Sequence, residues 1–176
     1  ISYAVHNLGK SLKLIVVLGH TSCGAVAAAV DSYIDPNDYS EIALGHSLRS
    51  LVDRLHISVR GAAGELERLC GPAVVNHPGY RRALIEVAVY LNSALTAYDV
   101  QRELNLPPDS DPRVVYGVFD LVAHAVGSLP HLPNSADAEK RPVFGSVPDS
   151  SEGFAALGAE IARNVLDKGF LGPLTV

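Results

Sequence analysis

At 176 residues the chain has room for one ordinary domain with a real core, and 48% apolar against 19% charged residues is the balance of a soluble globular protein, not a disordered one. A net charge of −5 makes no electrostatic case for nucleic acid, and no apolar stretch approaches the roughly 18–20 residues that cross a bilayer. Two cysteines, Cys23 and Cys70, form no disulfide framework; with no basic-then-apolar leader at the start, the composition suits a reducing cytosol, and a cytoplasmic location is expected.

In chain order, residues 1–9 read as the end of a helix stopped by Gly9. The unbroken run Leu14, Ile15, Val16, Val17, Leu18 predicts a strand over 13–18, buried on both faces as in a parallel sheet covered by helices. Gly24 opens an alanine-rich helix over 24–33 whose small side chains suit close packing on that sheet. Pro36, Asn37 and Asp38 mark a turn. From about Ile42 to Arg60, Leu44, Leu48, Leu51, Val52, Leu55 and Val59 recur at helical steps, an amphipathic helix. Gly61 and Gly64 are expected to interrupt it, leaving Glu65–Cys70 as a further short turn of helix.

Pro78 begins the longest predicted helix, with Leu84, Val87, Ala88, Leu91, Leu95, Tyr98 and Gln101 along one face as far as Glu103. Pro107 and Pro108 close it, because proline cannot continue the helical ladder. Residues 113–121 read as a strand with 122–129 pairing beside it, and 130–150 as an aperiodic loop. A last helix, 151–168, follows the capping residues Asp149, Ser150 and Ser151, with Glu152 in its first turn. No internal repeat is visible. The expected architecture is a single α/β domain over 1–176, with a mostly parallel central sheet flanked by helices.

His20 and Cys23 fall where the first strand hands over to a helix, the place where open α/β sheets keep their ligands. A thiolate is a soft ligand and an imidazole a borderline one, and together they suit zinc better than magnesium or calcium. The helix amino terminus favours negative charge on the sulfur. H-x-x-C alone provides two of the at least three protein ligands zinc requires. The same spacing equally describes a buried cysteine beside a hydrogen-bonded histidine. Other chemistries fail here. Gly19 to Gly24 is not G-x-G-x-x-G and no Lys-Ser/Thr follows for a nucleotide phosphate. The loop lacks a second cysteine for thioredoxin-type exchange, and Gly24 to Val30 carries no cation for a phosphatase-like cysteine. Zinc binding and plain packing stay open.

The remaining polar residues read more plainly. His46 and His56 lie on the amphipathic helix and are expected in solvent. His77 belongs to the turn before Pro78, His124 and His131 to an exposed strand edge, and His6 to the end of the first helix. Arg81 and Arg82 stand at a helix start, which does not favour cations, so an interface or an anion is weighed for them against plain exposure.

GHTSCGAV, preceded by ISYAVHNLGKSLKLIVVL, resembles the second zinc-binding segment of the β-class carbonic anhydrases. In that family a helix ending in a Tyr-Ala-Val-like stretch leads into a central strand and then G-H-[ST]-x-C-G-A. Leu91, Asn92 and Gln101 are placed as in the family's later helix, and Val114 to Leu121 resembles its V-x-G-x-x-Y-D-L strand, so the resemblance covers residues 1–130. It implies a zinc ion held by His20 and Cys23, reversible hydration of carbon dioxide to bicarbonate and a proton, and a homodimer or higher homo-oligomer. It also implies that Gly24 admits a close backbone approach and that Ala25 helps line a small dry pocket.

The family's first ligand is a cysteine in a C-x-D-x-R segment whose Asp and Arg control access to the metal. That motif does not occur in these 176 residues, and Cys70, in ELERLCGPA, reads as a helix end. The chain opens at Ile1 and contains no Met, so the segment is expected upstream, and the catalytic Asp-Arg pair has no assignment here. Two alternatives accompany this reading: a metal-free homologue acting as a binding or structural subunit, and a zinc hydrolase of carbonyl sulfide or carbon disulfide.

Overall fold

The long helix expected after Pro78 is the axis on which the other elements are hung. The structure is a computed structural model describing residues 1–8, 11–37, 46–107, 110–130 and 142–172. Among the described residues the order is α1 (Ser2–Leu8), β1 (Leu14–His20), α2 (Gly24–Ile34), α3 (His46–Cys70), α4 (Tyr80–Glu103), β2 (Arg113–Asp120), β3 (Ala125–Gly127), β4 (Gly145–Ser146) and α5 (Ser151–Asp167). A 3-10 helix, Pro72–Asn76, joins α3 to α4 and was not anticipated from sequence. The expectations for Gly9, Asp38, residues 42–45, Pro108 and residues 131–141 lie outside the described residues. None of the described helices is long and apolar enough to cross a membrane.

The fold is α/β with a four-stranded mixed sheet. β1 and β2 pair in parallel from Leu14 opposite Arg113 to His20 opposite Phe119. β3 and β4 add short antiparallel pairings to β2, which among the described residues leaves β1 at the sheet edge. Side chains alternate across the sheet. On one face Ile15 and Val17 pack with Val114, Tyr116, Ala94 and Ala97 beneath α4. On the other, Leu14, Val16 and Leu18 remain 40%, 39% and 55% exposed. The expectation that this strand is buried on both faces is therefore corrected. α4 packs against only one side of it.

α3 corrects a second expectation. It runs unbroken for 25 residues through Gly61 and Gly64. Each glycine costs a helix about 1 kcal/mol, but the buried Val59, Ala62, Ala63 and Leu66 around them pack into the main core, and that packing outweighs propensity. The helix stops where Gly71 takes a positive φ and Pro72 follows.

α4 begins at Tyr80, two residues after Pro78. The intervening Gly79 amide donates to His77 Nδ1 at 3.1 Å, as suits the turn expected there. A Cβ on Gly79 would meet the Phe170 carbonyl oxygen at 2.6 Å, so glycine is what lets the chain beyond α5 lie across this turn. α4 is buried over most of its circumference, including Tyr80, Leu84, Glu86, Val89, Tyr90 and Ser93. The single apolar face read from sequence is too narrow, because α4 is sandwiched between β1–β2 and the layer of α2, α3 and α5. At α5 the local signals held: Ser150 Oγ accepts from the Gly153 amide at 3.2 Å, and Glu152 occupies the first turn.

Candidate metal centre

The corner between β1 and α2 is built by short-range and cross-strand constraints together. Gly19, paired with Val118, faces α4, where an added Cβ would collide with the Ser93 hydroxyl. Glycine here lets the strand end lie close under the helix. The chain then turns through Thr21 and Ser22, with Ser22 in the left-handed region at φ 57°. Thr21 is buried and ties the turn to the end of β2 in two ways. Its amide donates to the Phe119 carbonyl at 3.0 Å, and its Oγ1 accepts from the Leu121 amide at 3.0 Å.

His20 lies on the opposite sheet face to Gly19, and is exposed. Its Nδ1 stands 3.0 Å from the Thr21 carbonyl oxygen. A carbonyl only accepts, so Nδ1 carries the proton, and the lone pair of the neutral ring sits on Nε2. An outer hydrogen bond of this kind is what orients metal-binding imidazoles. Cys23 is the residue before α2, extended at φ −64° and ψ 117°, with no side-chain capping bond. Its side chain is half-buried against the main core. The two residues thus flank one anchored two-residue turn, His20 toward solvent and Cys23 toward the helical layer.

Around the corner, a Cβ on Gly24 would meet nothing within 4 Å among the described residues. Ala25 packs against the core, its small side chain filling the helical layer under α2. Among the described residues, no group of three His, Cys, Asp or Glu is placed to hold a metal. The imidazole and the thiol at the corner have the softness zinc prefers, but they are two donors where zinc takes at least three. Cys70 ends α3, as expected, and burial pushes its thiol up.

The other candidates resolve into structural roles. His56 corrects the expectation of a solvated side chain: it is half-buried, with Nε2 2.9 Å from the Ser32 hydroxyl, joining α3 to α2. His124 is exposed at a turn with φ 53°. His6 Nδ1 donates to the Ser2 carbonyl at 2.7 Å, one turn back within α1. The His46 side chain and His131 lie outside the described residues. Arg81 forks onto Asp31 of α2 at 2.5 and 2.8 Å, and Arg82 lies over the Phe170 ring, 4.4 Å from its centroid.

Sequence reasoning missed the cavity beside the turn, about 860 Å³, which Thr21 and Ser22 line but His20 and Cys23 do not. Glu86, Asp120 and Lys168 share its wall. One local signal pointed there: Glu86 is the lone charge in the stretch from Ala83 to Ala97.

Residues 1–89 match the model of the carbonic anhydrase family. They run from α1 through the His20–Cys23 corner to the first turns of α4, while the strand-like resemblance at Val114 to Leu121 falls outside them. No curated protein and no solved structure matched. The match takes in just over half of the 176 residues, including G-H-T-S-C-G-A set at a strand-to-helix corner of an α/β fold, and by it the chain belongs to the carbonic anhydrase family, in the β class its motif resembles.

Proposed function

We propose that the chain works as a carbonic anhydrase, reversibly hydrating carbon dioxide to bicarbonate and a proton, with His20 and Cys23 as two ligands of a zinc ion. The state of these donors carries the reading. Nδ1 of His20 is engaged by the Thr21 carbonyl, which leaves Nε2 for a metal, and the Cys23 sulfur makes no capping bond to α2. Both sit on a turn held in place by Thr21 at the carboxyl end of a parallel strand.

Zinc bound there supplies a Lewis acid that makes water nucleophilic near neutral pH. The chain's own contribution is to orient the imidazole through the Thr21 carbonyl and to seat the sulfur beside a helix amino end. A tetrahedral catalytic site takes three protein ligands, so the third comes from outside the described residues, and with it the Asp-Arg pair of the family pattern. Two further parts of the proposal are a homodimer, supported by the open apolar side of the edge strand β1, and a cytoplasmic setting, supported by two cysteines that are both free thiols.

His20→Ala or Cys23→Ser in the complete protein is expected to remove bound zinc and lower hydration activity more than about 100-fold, beyond the loss typical of an outer-sphere partner. Zinc content by mass spectrometry and stopped-flow hydration are measured side by side. Wild-type zinc in either variant refutes the ligand assignment. One observation favours a second reading, a family member without metal: no three-donor group exists among the described residues. One zinc per chain in the complete protein supports the enzyme, and none supports the metal-free homologue.

A further inference from the structure

The cavity of about 860 Å³ beside the turn falls in the size range of small-molecule sites. Its polar wall combines Arg82 and Glu86, one helical turn apart on α4, with Asp120 at the end of β2 and Lys168 just past α5. Ile85, Val122 and Phe170 supply an apolar wall.

The hydrogen bonds of this wall do not close. Glu86 is 6% exposed, yet among the described residues no donor reaches its carboxyl; it feels only the fields of Lys168, Asp120 and Arg82. The Glu86 oxygens are not sealed from solvent, and the side chain lines the cavity, where water or a ligand can serve the carboxyl. The Lys168 ammonium, on a side chain 12% exposed, stands 3.7 Å from Asp120 Oδ2, beyond hydrogen-bond range. Asp120 meanwhile spends Oδ1 on the amides of Val122 and Ala123. Arg82 rests on the Phe170 ring with no carboxylate within ion-pair distance among the described residues. Arg81, the third cation, is already taken by Asp31.

An acceptor without a hydrogen bond, Glu86, and two cations, Arg82 on the Phe170 ring and Lys168 in a loose ion pair with Asp120, therefore face one space. With Arg81 set aside on Asp31, Arg82 and Lys168 face the space together with Glu86, Asp120 and Asp167, so the lining presents both signs of charge. A dianion would meet three carboxylates and a dication two cations. A molecule carrying both charges meets each with its opposite.

We propose that this cavity binds a small zwitterion of the α-amino-acid class, its ammonium on Glu86, its carboxylate on Arg82 and Lys168, and an apolar side chain against Ile85, Val122 and Phe170. The site is independent of zinc and of the hydration reading, since it uses neither His20 nor Cys23. An ammonium on Glu86 is a charge-assisted bond in a sheltered place, among the stronger contacts a small ligand can make.

The test is calorimetric titration of the complete protein with L-leucine and with its two half-molecules, 4-methylpentanoate, which lacks the amine, and 3-methylbutylamine, which lacks the carboxylate. L-leucine is expected to bind saturably, and each half-molecule at least about tenfold more weakly. Glu86→Gln keeps the side-chain shape and is expected to weaken L-leucine and 3-methylbutylamine at least about tenfold while sparing 4-methylpentanoate. Absence of saturable L-leucine binding overturns the proposal. So does a half-molecule that binds as tightly as L-leucine, or a folded Glu86→Gln variant with unchanged L-leucine affinity. The three-probe comparison on the unsubstituted chain decides the matter by itself if the variant does not fold.

Discussion

Glu86 shows how one side chain can be plain in the sequence and opaque in meaning. A solitary carboxylate in an apolar helix is easy to see, but whether it faces water, a partner or a cavity depends on elements far away in the chain. In the folded protein burial raises its carboxyl above the ordinary glutamate range, Asp120 adds to the rise, and Lys168 and Arg82 oppose it. An acid whose folded value is raised holds its proton more tightly in the native state. Its contribution to stability is thus complete below the unfolded value, about 4.3, and is lost as pH climbs through the folded value. Glu86→Gln removes a group that is costly when ionised. The variant is expected to be more stable at pH 8 by about 1 kcal/mol, a typical single-residue effect, which raises Tm by about 2–4 °C. That gain should fade toward pH 4. Thermal melts followed by circular dichroism at both ends check it, and an equal shift at pH 4 and pH 8 would contradict the raised carboxyl. His20 is the opposite case. Its position at the corner was legible because strand, turn and helix are contiguous, and even its tautomer follows from the carbonyl of the next residue.

Among the elements, β1 carries the clearest lesson. Its apolar run announces a strand, yet the period-two alternation that decides which side chains face α4 cannot be read from five consecutive apolar residues. Leu18 turns out to lie on the open side, 55% exposed. An edge strand with such a side is a template for association. Leu18→Lys is expected to change unfolding free energy by less than about 0.5 kcal/mol, because little is buried there. In the proposed homodimer the same substitution should weaken self-association at least about tenfold, as 1.4 kcal/mol of lost contact implies. Analytical ultracentrifugation and urea unfolding measure the two effects separately; an unchanged dimer would remove β1 from the interface. The ends of α5 were legible for a local reason, since a serine cap acts within one turn. The continuity of α3 was not, because the partners that override Gly61 and Gly64 lie on other elements.

At the scale of the molecule, α4 is the element that joins the two layers. It meets β1 and β2 on one side and α2, α3 and α5 on the other. Leu84, fully buried in the main core, is expected to cost about 2–5 kcal/mol when changed to Ala. Leu95, only half-buried on the same helix, is expected to cost less. Denaturant unfolding of both variants ranks them, and equal losses would contradict the sandwiched position of α4. Amide exchange should be slowest along the same helix, where opening exposes both layers at once.

What the sequence determined unaided were the features whose causes are local: the apolar strand, the helix starts and stops set by serine, glycine and proline, and the histidine–cysteine corner that marks the family. Only the tertiary structure decided the sidedness of β1, the burial of α4 over most of its surface, the bonding of His56 to Ser32, and the cavity where Glu86, Asp120 and Lys168 converge. The division has a physical reason. Capping, turn chemistry and hydrophobic runs act over a few residues, whereas desolvation and the matching of buried charges depend on which distant segments the packed core brings together.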